Sequence, residues 1–478
     1  MKSVIRHCRA AATSFVLAAA ALAAASAADS PSELKHIHLR PAPKEAAAPA
    51  VSVVVAPERK VLASDKPETA VVKVGLTGAA LPAGERPAVN LALVLDRSGS
   101  MQGDRIVRAR EAAVAAVQRL DERDYVSVVV FDDRIDVLAG AQTASEANKA
   151  AIVEKLRTVE ARGATAIFGG VSAGASEIRK NLARKLVNRI VLLSDGAANV
   201  GPSSPEELGL LGASLVKEGV SVSTLGVGLG YNENLMAALA TRSDGNTYFI
   251  ENGDDIPRIF DAELGDAFQV AARDVKLSIR FRDAFPVELI GRDGRIEDGV
   301  VSVDFNQIYS RQEKYVLVRT EFPVGKDGET REFAAAEVSW VLPGSDASGS
   351  AAATGSVAFS ADAKKVAASA DAKVLVQSVK TQNALRTQRA LELNAAGDYE
   401  AAGALLRMNN DAGVQVLRDY DASFVGDRSA AEELDEENDW NVSNISALGG
   451  ALDARKGKML KTRSSQIETQ QSTVQEGL

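Results

Sequence analysis

The spacing of apolar residues along the chain changes character three times, and each change predicts a different kind of element. Residues 51–77 alternate and are rich in Val ("VSVVVAPERK", "TAVVKVGL"), which predicts two strands. From 88 to 268 the pattern switches to short, continuously apolar runs separated by helical ones. "LALVLD", "YVSVVVFDD", "NRIVLLSD", "VSVSTLGVG" and "NTYFIEN" read as strands. Between them, "DRIVRAREAAVAAVQRL" places Ile106, Ala109, Ala113, Val117 and Leu120 on one helical face. "SEANKAAIVEKLRTV", the segment after Gly169, "SPEELGLLGASLVKEG", "NENLMAALA" and "DDIPRIFDAELGDAF" also read as helices, and Ser204 followed by Pro205 is a helix start. Strands that are apolar throughout and alternate with helices predict an α/β domain at 88–268, a doubly wound and mostly parallel sheet covered on both faces.

Period two returns at 274–342 ("DVKLSIRFR", "VVSVDF", "EKYVLVRTEF", "REFAAAEVSWVL"), which predicts a β-sandwich. The strands within 51–87 can complete that sandwich, with the α/β domain inserted between its halves; the pattern leaves the pairing itself open. "PGSDASGSAAATGS" reads as a linker, 371–420 as a helical hairpin joined at "AAGDYEAAG", and the polar, charged stretch 427–478 as a disordered tail. The fold class expected is therefore α/β, flanked by a β-sandwich and a C-terminal helical hairpin.

Composition changes the picture mainly at the start of the 478-residue chain. Residues 1–27 combine Lys2, Arg6 and Arg9, an apolar run from Phe15 to Ala25 and the small-x-small close Ala25-Ser26-Ala27. This is a secretory signal peptide by pattern, and its apolar run is too short to span a bilayer. An Ala/Pro-rich linker follows at 28–50. Cleavage after Ala27 removes three basic residues and moves the net charge from -9 to -12. An acidic chain is a poor candidate for nucleic acid or an anionic membrane surface. The single cysteine, Cys8, lies within the leader, so the remainder has no disulfide, thiolate metal site or cysteine nucleophile. The expected location is the periplasm or the medium, with no integral membrane segment.

Candidate chemistry concentrates at strand ends. In "DRSGS", Asp96 closes the first strand of the α/β domain, and Ser98 and Ser100 follow at alternate positions around Gly99. Ligands of doubly wound sheets bind beyond the carboxyl ends of the strands, at the point where strand order reverses. Other strand ends should contribute too. "ARGATAIFGG" places Thr165 in a Gly-flanked loop before a helix, and "IVLLSDGAANVG" ends a buried strand at Asp195. Two carboxylates and three hydroxyls form an all-oxygen set, which suits a hard cation such as Mg²⁺ with retained waters. Alone, each piece has an ordinary structural explanation, since Asp and Ser often cap helices and Asp-Gly often turns a chain. It is their order along the chain, each at or just past a strand end, that carries the reading. Arg97, charged and beside the site, is expected to point to solvent.

On these residues the segment 88–268 resembles the von Willebrand factor type A domain, and "DRSGS", Thr165 and Asp195 match the metal-ion-dependent adhesion site of that family. The resemblance implies that Ser98, Ser100 and Thr165 contact the ion directly and that Asp96 and Asp195 act mainly through water. It implies Mg²⁺ as the cofactor, with Mn²⁺ or Ca²⁺ as other candidates. The partner would be a protein that supplies an Asp or Glu carboxylate to the last coordination position. The wider arrangement resembles exported bacterial proteins of the family.

An alternative is a metal-assisted hydrolase using the same ion. It needs a general base, and the three histidines, His7, His36 and His38, all lie upstream of the domain. "GVSAG" around Ser172 has the nucleophile-elbow spacing but follows a loop instead of a strand and has no later histidine. "GVGLG" at 226–230 lacks the strand-turn-helix context of a dinucleotide site. The expected class is thus a binding module, not an enzyme.

Overall fold

The computed structural model describes residues 49–82, 85–445 and 450–471. The leader at 1–27 and most of the Ala/Pro-rich linker lie outside the described residues. Strands β1 (Val51–Pro57), β2 (Val61–Ala63) and β3 (Glu68–Gly78) come first. The α/β domain follows: β4 (Val89–Asp96), α1 (Asp104–Arg119), β5 (Tyr125–Phe131), β6 (Ile135–Thr143), α2 (Glu146–Arg157), α3 (Ile167–Arg179), β7 (Val187–Ser194), α4 (Pro205–Val216), β8 (Val220–Val227), α5 (Glu233–Arg242), β9 (Thr247–Ile250) and α6 (Ile256–Ala267). Then come β10 (Val270–Phe281), β11 (Phe285–Ile290), β12 (Arg295–Glu297), β13 (Val300–Tyr309), β14 (Glu313–Phe322), β15 (Thr330–Val341) and β16 (Ser348–Ser360). The chain continues in α7 (Ala363–Ala368), α8 (Ala372–Ala395), α9 (Tyr399–Asp419), α10 (Asp421–Gly426), α11 (Arg428–Ile445) and α12 (Ala454–Thr469).

The α/β sheet runs β6-β5-β4-β7-β8-β9. It is parallel except for β6, which pairs antiparallel with β5. Every residue of β4, β7 and β8 is buried, as helices on both faces require. The α1 face identified from spacing is buried through Ile106, Ala109, Ala113 and Val117. Helix α4 opens with a reciprocal Ser204/Glu207 capping box and Pro205 in its first turn. Helix α3 contains Ser172, so the elbow-like "GVSAG" is helix interior. Strand β6, "IDVLAGAQT", had no counterpart in the sequence reading; it is a half-exposed edge strand whose weak alternation resembles a loop.

The two β-rich segments do pair. Strand β3 lies antiparallel to β14 from Glu68↔Phe322 to Thr77↔Glu313, within a sheet ordered β1-β3-β14-β11. It packs against a second sheet, β12-β13-β10-β15-β16-β2. The shared core joins Val72, Val74 and Leu76 of the first sheet to Leu277, Ile279, Val303 and Phe305 of the second. The sandwich extends past the expected limit of 342. Residues 343–356, expected to be a linker, enter β16, which pairs with β15 from Thr330↔Ala358 to Val341↔Ser348. The small residues serve packing there: a Cβ on Gly349 would lie 2.6 Å from the Trp340 ring, and one on Gly355 2.5 Å from Val55.

Helices α8 and α9 form the antiparallel pair expected for 371–420, turning at Gly397 with φ of 85°. The expectation of a disordered tail at 427–478 is corrected for its described residues, which form α11 and α12. Low hydropathy misled because paired polar side chains carry much of the docking. Lys458 donates to Glu233 Oε2 at 2.6 Å, Arg463 to Glu437 Oε2 at 2.8 Å, and Gln466 to the Thr247 carbonyl at 2.8 Å. Leu434, Leu460 and Ile467 supply the buried apolar surface. Among the described residues no helix is long and apolar enough to cross a membrane.

A buried polar cluster joins the α/β domain to the sandwich. Arg189 of β7 is 0% exposed. It pairs with Glu263 of α6 at 3.1 Å and donates to Ser223 Oγ at 3.0 Å and to the Tyr309 hydroxyl of β13 at 2.6 Å. A charge removed from water needs such partners to be tolerated.

Candidate metal centre

Strands β4 and β7 are neighbours at the centre of the sheet, and their chain connections leave in opposite directions. Their carboxyl ends therefore flank the crevice in which doubly wound sheets bind ligands. Asp96 is the last residue of β4, and Asp195 follows the last residue of β7. Both are buried. The loop after β4 passes through a short 3-10 turn at Gly99–Met101, anchored by buried Met101.

All five residues expected at the site come together. The Asp96 carboxylate accepts from the Ser98 N–H at 2.7 Å and, on its other oxygen, from the Ser194 hydroxyl. The Ser98 and Ser100 hydroxyl oxygens lie 3.1 Å apart, and Ser100 donates to Asp195 Oδ1 at 2.7 Å. Thr165 reaches the group from the loop before α3. A Cβ placed on Gly196 would lie 2.8 Å from Thr165 Oγ1 and 3.4 Å from Ser100 Oγ. These oxygens thus face a small space that the absence of a side chain at Gly196 keeps open.

The donor chemistry fits a hard cation, since the side chains of Asp96, Ser98, Ser100, Thr165 and Asp195 offer only oxygens. Among the described residues no cluster of three or more His, Cys, Asp or Glu occurs, so the set is dominated by hydroxyls. Burial pushes the Asp96 carboxyl up to about 6 from an ordinary 3.8. The hydrogen bonds from Ser194 and Ser98 oppose the rise, and the neighbouring Asp195 charge adds to it. A buried carboxylate with too little compensating charge is a group that a bound cation would relieve.

Several residues that build the site had no place in the sequence reading. Asp132, immediately after β5, is buried and takes Arg97 Nε at 2.9 Å and Arg162 Nε at 2.7 Å. Arg97 also pairs with Asp136 and is mostly buried, so the expectation that it points to solvent is corrected. The carboxylate of Asp132 outweighs hydration for this guanidinium. The brace ties the "DRSGS" loop to the Thr165 loop, aided by Arg162 N–H to the Arg97 carbonyl at 2.6 Å and Ala166 N–H to the Asp132 carbonyl at 2.9 Å. Asn199 fixes Thr165 by accepting its N–H at 2.8 Å. Ser194 orients Asp96. Arg105 of α1 donates to Asp195 Oδ2 at 2.5 Å. Only their position next to strand ends could have marked Ser194 and Asp132, and nothing local distinguishes Arg105 from other helix-surface arginines.

Fold and site together define an α/β domain with an oxygen-lined crevice at the switch point of a doubly wound sheet. Residues 90–262 match the model of the von Willebrand factor type A domain, and the chain carries a domain of that family there. Domains of this family bind protein partners. The protein YfbK of Escherichia coli (strain K12) is 30% identical over 208 residues, covering 43% of this chain and 36% of that protein. The protein sll0103 of Synechocystis sp. (strain ATCC 27184 / PCC 6803 / Kazusa) is 35% identical over 167 residues, covering 35% of this chain and 39% of that protein. The match thus spans well under half the length of either bacterial relative. In fold, the chain is similar to the solved "von Willebrand factor type A from Catenulispora acidiphila", with a TM-score of 0.65 at 17% identity over 87% of this chain and 96% of that one.

Proposed function

We propose that the chain is an exported, metal-dependent protein-binding module. In this reading Ser98, Ser100 and Thr165 hold Mg²⁺ directly, Asp96 and Asp195 hold it through water, and a partner's Asp or Glu carboxylate completes the shell. Bound there, the ion would supply a coordination position open to an anionic group. The observation that carries the reading is the convergence of the Thr165 and Ser100 hydroxyl oxygens on the space in front of Gly196, with Ser100 bonded to the Asp195 carboxylate. The leader-like pattern of residues 1–27 supports export to the periplasm or medium.

The hydrolase alternative is weaker on one specific point. The charged side chain that reaches Asp195 is Arg105, and a guanidinium does not accept a proton at neutral pH. Affinity capture from envelope extract tests the binding reading, using the wild-type chain with Mg²⁺, the same chain with chelator, and Asp195→Ala with Mg²⁺. A partner retained only in the first arm is the expected result. A partner retained equally by Asp195→Ala would move recognition to another surface.

A further inference from the structure

Arg105 is the second residue of α1, and its guanidinium reaches the oxygen cluster at Asp195. Nη1 donates to Asp195 Oδ2 at 2.5 Å and to the Ser100 carbonyl at 3.3 Å. Nη2 occupies space left by Gly228, where φ is 70° and a Cβ would lie 2.8 Å from that nitrogen. Both Asp195 oxygens are thereby engaged, Oδ1 by the Ser100 hydroxyl and Oδ2 by Arg105. Asp96 has hydrogen bonds from Ser98 and Ser194 but, among the described residues, no ion pair of this kind. The two site carboxylates are thus unequal: one is matched by a cation belonging to the protein, the other is not.

We propose that Arg105 is an internal counter-ion that stands in for the metal at Asp195 and competes with it. The inference rests on reading the cluster as a cation site. A divalent ion and a guanidinium cannot both lie close to one carboxylate without repelling each other. Loading the site therefore requires Arg105 to withdraw. Its side chain is 40% exposed, so rotation into water suffices and no part of the core need open. The arrangement weakens metal affinity and, in exchange, relieves Asp195 when no metal is bound.

The test uses the full chain without its leader, with Mn²⁺ as the probe, in the wild type, Arg105→Gln and Arg105→Lys. Calorimetric titration at low ionic strength should show Arg105→Gln binding Mn²⁺ about tenfold more tightly than wild type, with Arg105→Lys between them. Because the guanidinium is partly in water, the gain should shrink as salt is raised, which a purely structural role would not produce. In chelator, Arg105→Gln should melt at a lower temperature than wild type. Equal or weaker Mn²⁺ binding by Arg105→Gln, with wild-type binding intact, would overturn the role of Arg105 and leave the cation site standing. Absence of Mn²⁺ binding in wild type and Arg105→Gln alike, both folded by circular dichroism, would overturn the cation site and this inference together.

Discussion

Replacing Asp96 with Asn should stabilise the metal-free protein at neutral pH, although it removes a residue placed at the heart of the site. The carboxylate is buried, and its pKa stands at about 6 in the fold against 3.8 in a solvated chain. That gap corresponds to about 3 kcal/mol of cost for keeping Asp96 ionised in the fold. The sign follows from which state holds the proton more tightly. A raised folded pKa gives a stabilising contribution fully present below the unfolded value and lost as pH rises through the folded value. The wild type should therefore gain stability relative to Asp96→Asn as pH falls from about 7 to about 4. Asn keeps the local pattern: its carbonyl can accept from Ser98 N–H, and its amide can donate to the Ser194 hydroxyl. Allowing for imperfect fit, Asp96→Asn should be about 1–3 kcal/mol more stable in chelator at pH 7.5, by chemical denaturation. The advantage should close near pH 4. In saturating Mg²⁺ it should narrow or reverse, because only the wild type gains from binding. An Asn variant less stable than wild type in chelator at pH 7.5, or a difference independent of pH, would refute the reasoning.

Two further outcomes follow from the packing. Glu263→Ala leaves Arg189 fully buried without its carboxylate, and should cost about 3–5 kcal/mol in denaturant unfolding, with or without metal. A chain ending before Ala454 loses α12 with its buried Leu460 and Ile467 and uncovers Thr247 of edge strand β9, whose carbonyl accepts from Gln466; its melting temperature should fall, and an unchanged value would mean that the helix does not dock.

The sequence was most informative where burial is complete. Strands β4, β7 and β8 are apolar along their whole length because both faces are covered, and this made the doubly wound sheet legible. The five residues proposed for the cation site stood out by their order along the chain, as polar groups at strand ends or in loops beside them, and the fold brings them together. What was missed depends on neighbours distant in the chain. Arg97 looks solvent-facing until Asp132 and Asp136 are seen beside it. The Gly, Ser and Ala of β16 look like a linker until Trp340 and Phe333 are seen packed over Gly349 and Gly355. Helix α12 looks solvated because its docking partners, Glu233, Glu437 and Thr247, lie elsewhere in the sequence. Polar burial of this kind leaves no periodic signature.

The central claim is that the space in front of Gly196 holds a divalent cation. Electron paramagnetic resonance of free Mn²⁺ during titration tests it directly, comparing the wild type with Gly196→Ala. That substitution keeps Asp96, Ser98, Ser100, Thr165 and Asp195 but places a methyl group 2.8 Å from Thr165 Oγ1. The account predicts single-site loss of free Mn²⁺ signal with the wild type, reversal by excess Mg²⁺, and no loss with a folded Gly196→Ala. Equal Mn²⁺ uptake by the two proteins, or none by the wild type at millimolar ion, would contradict it.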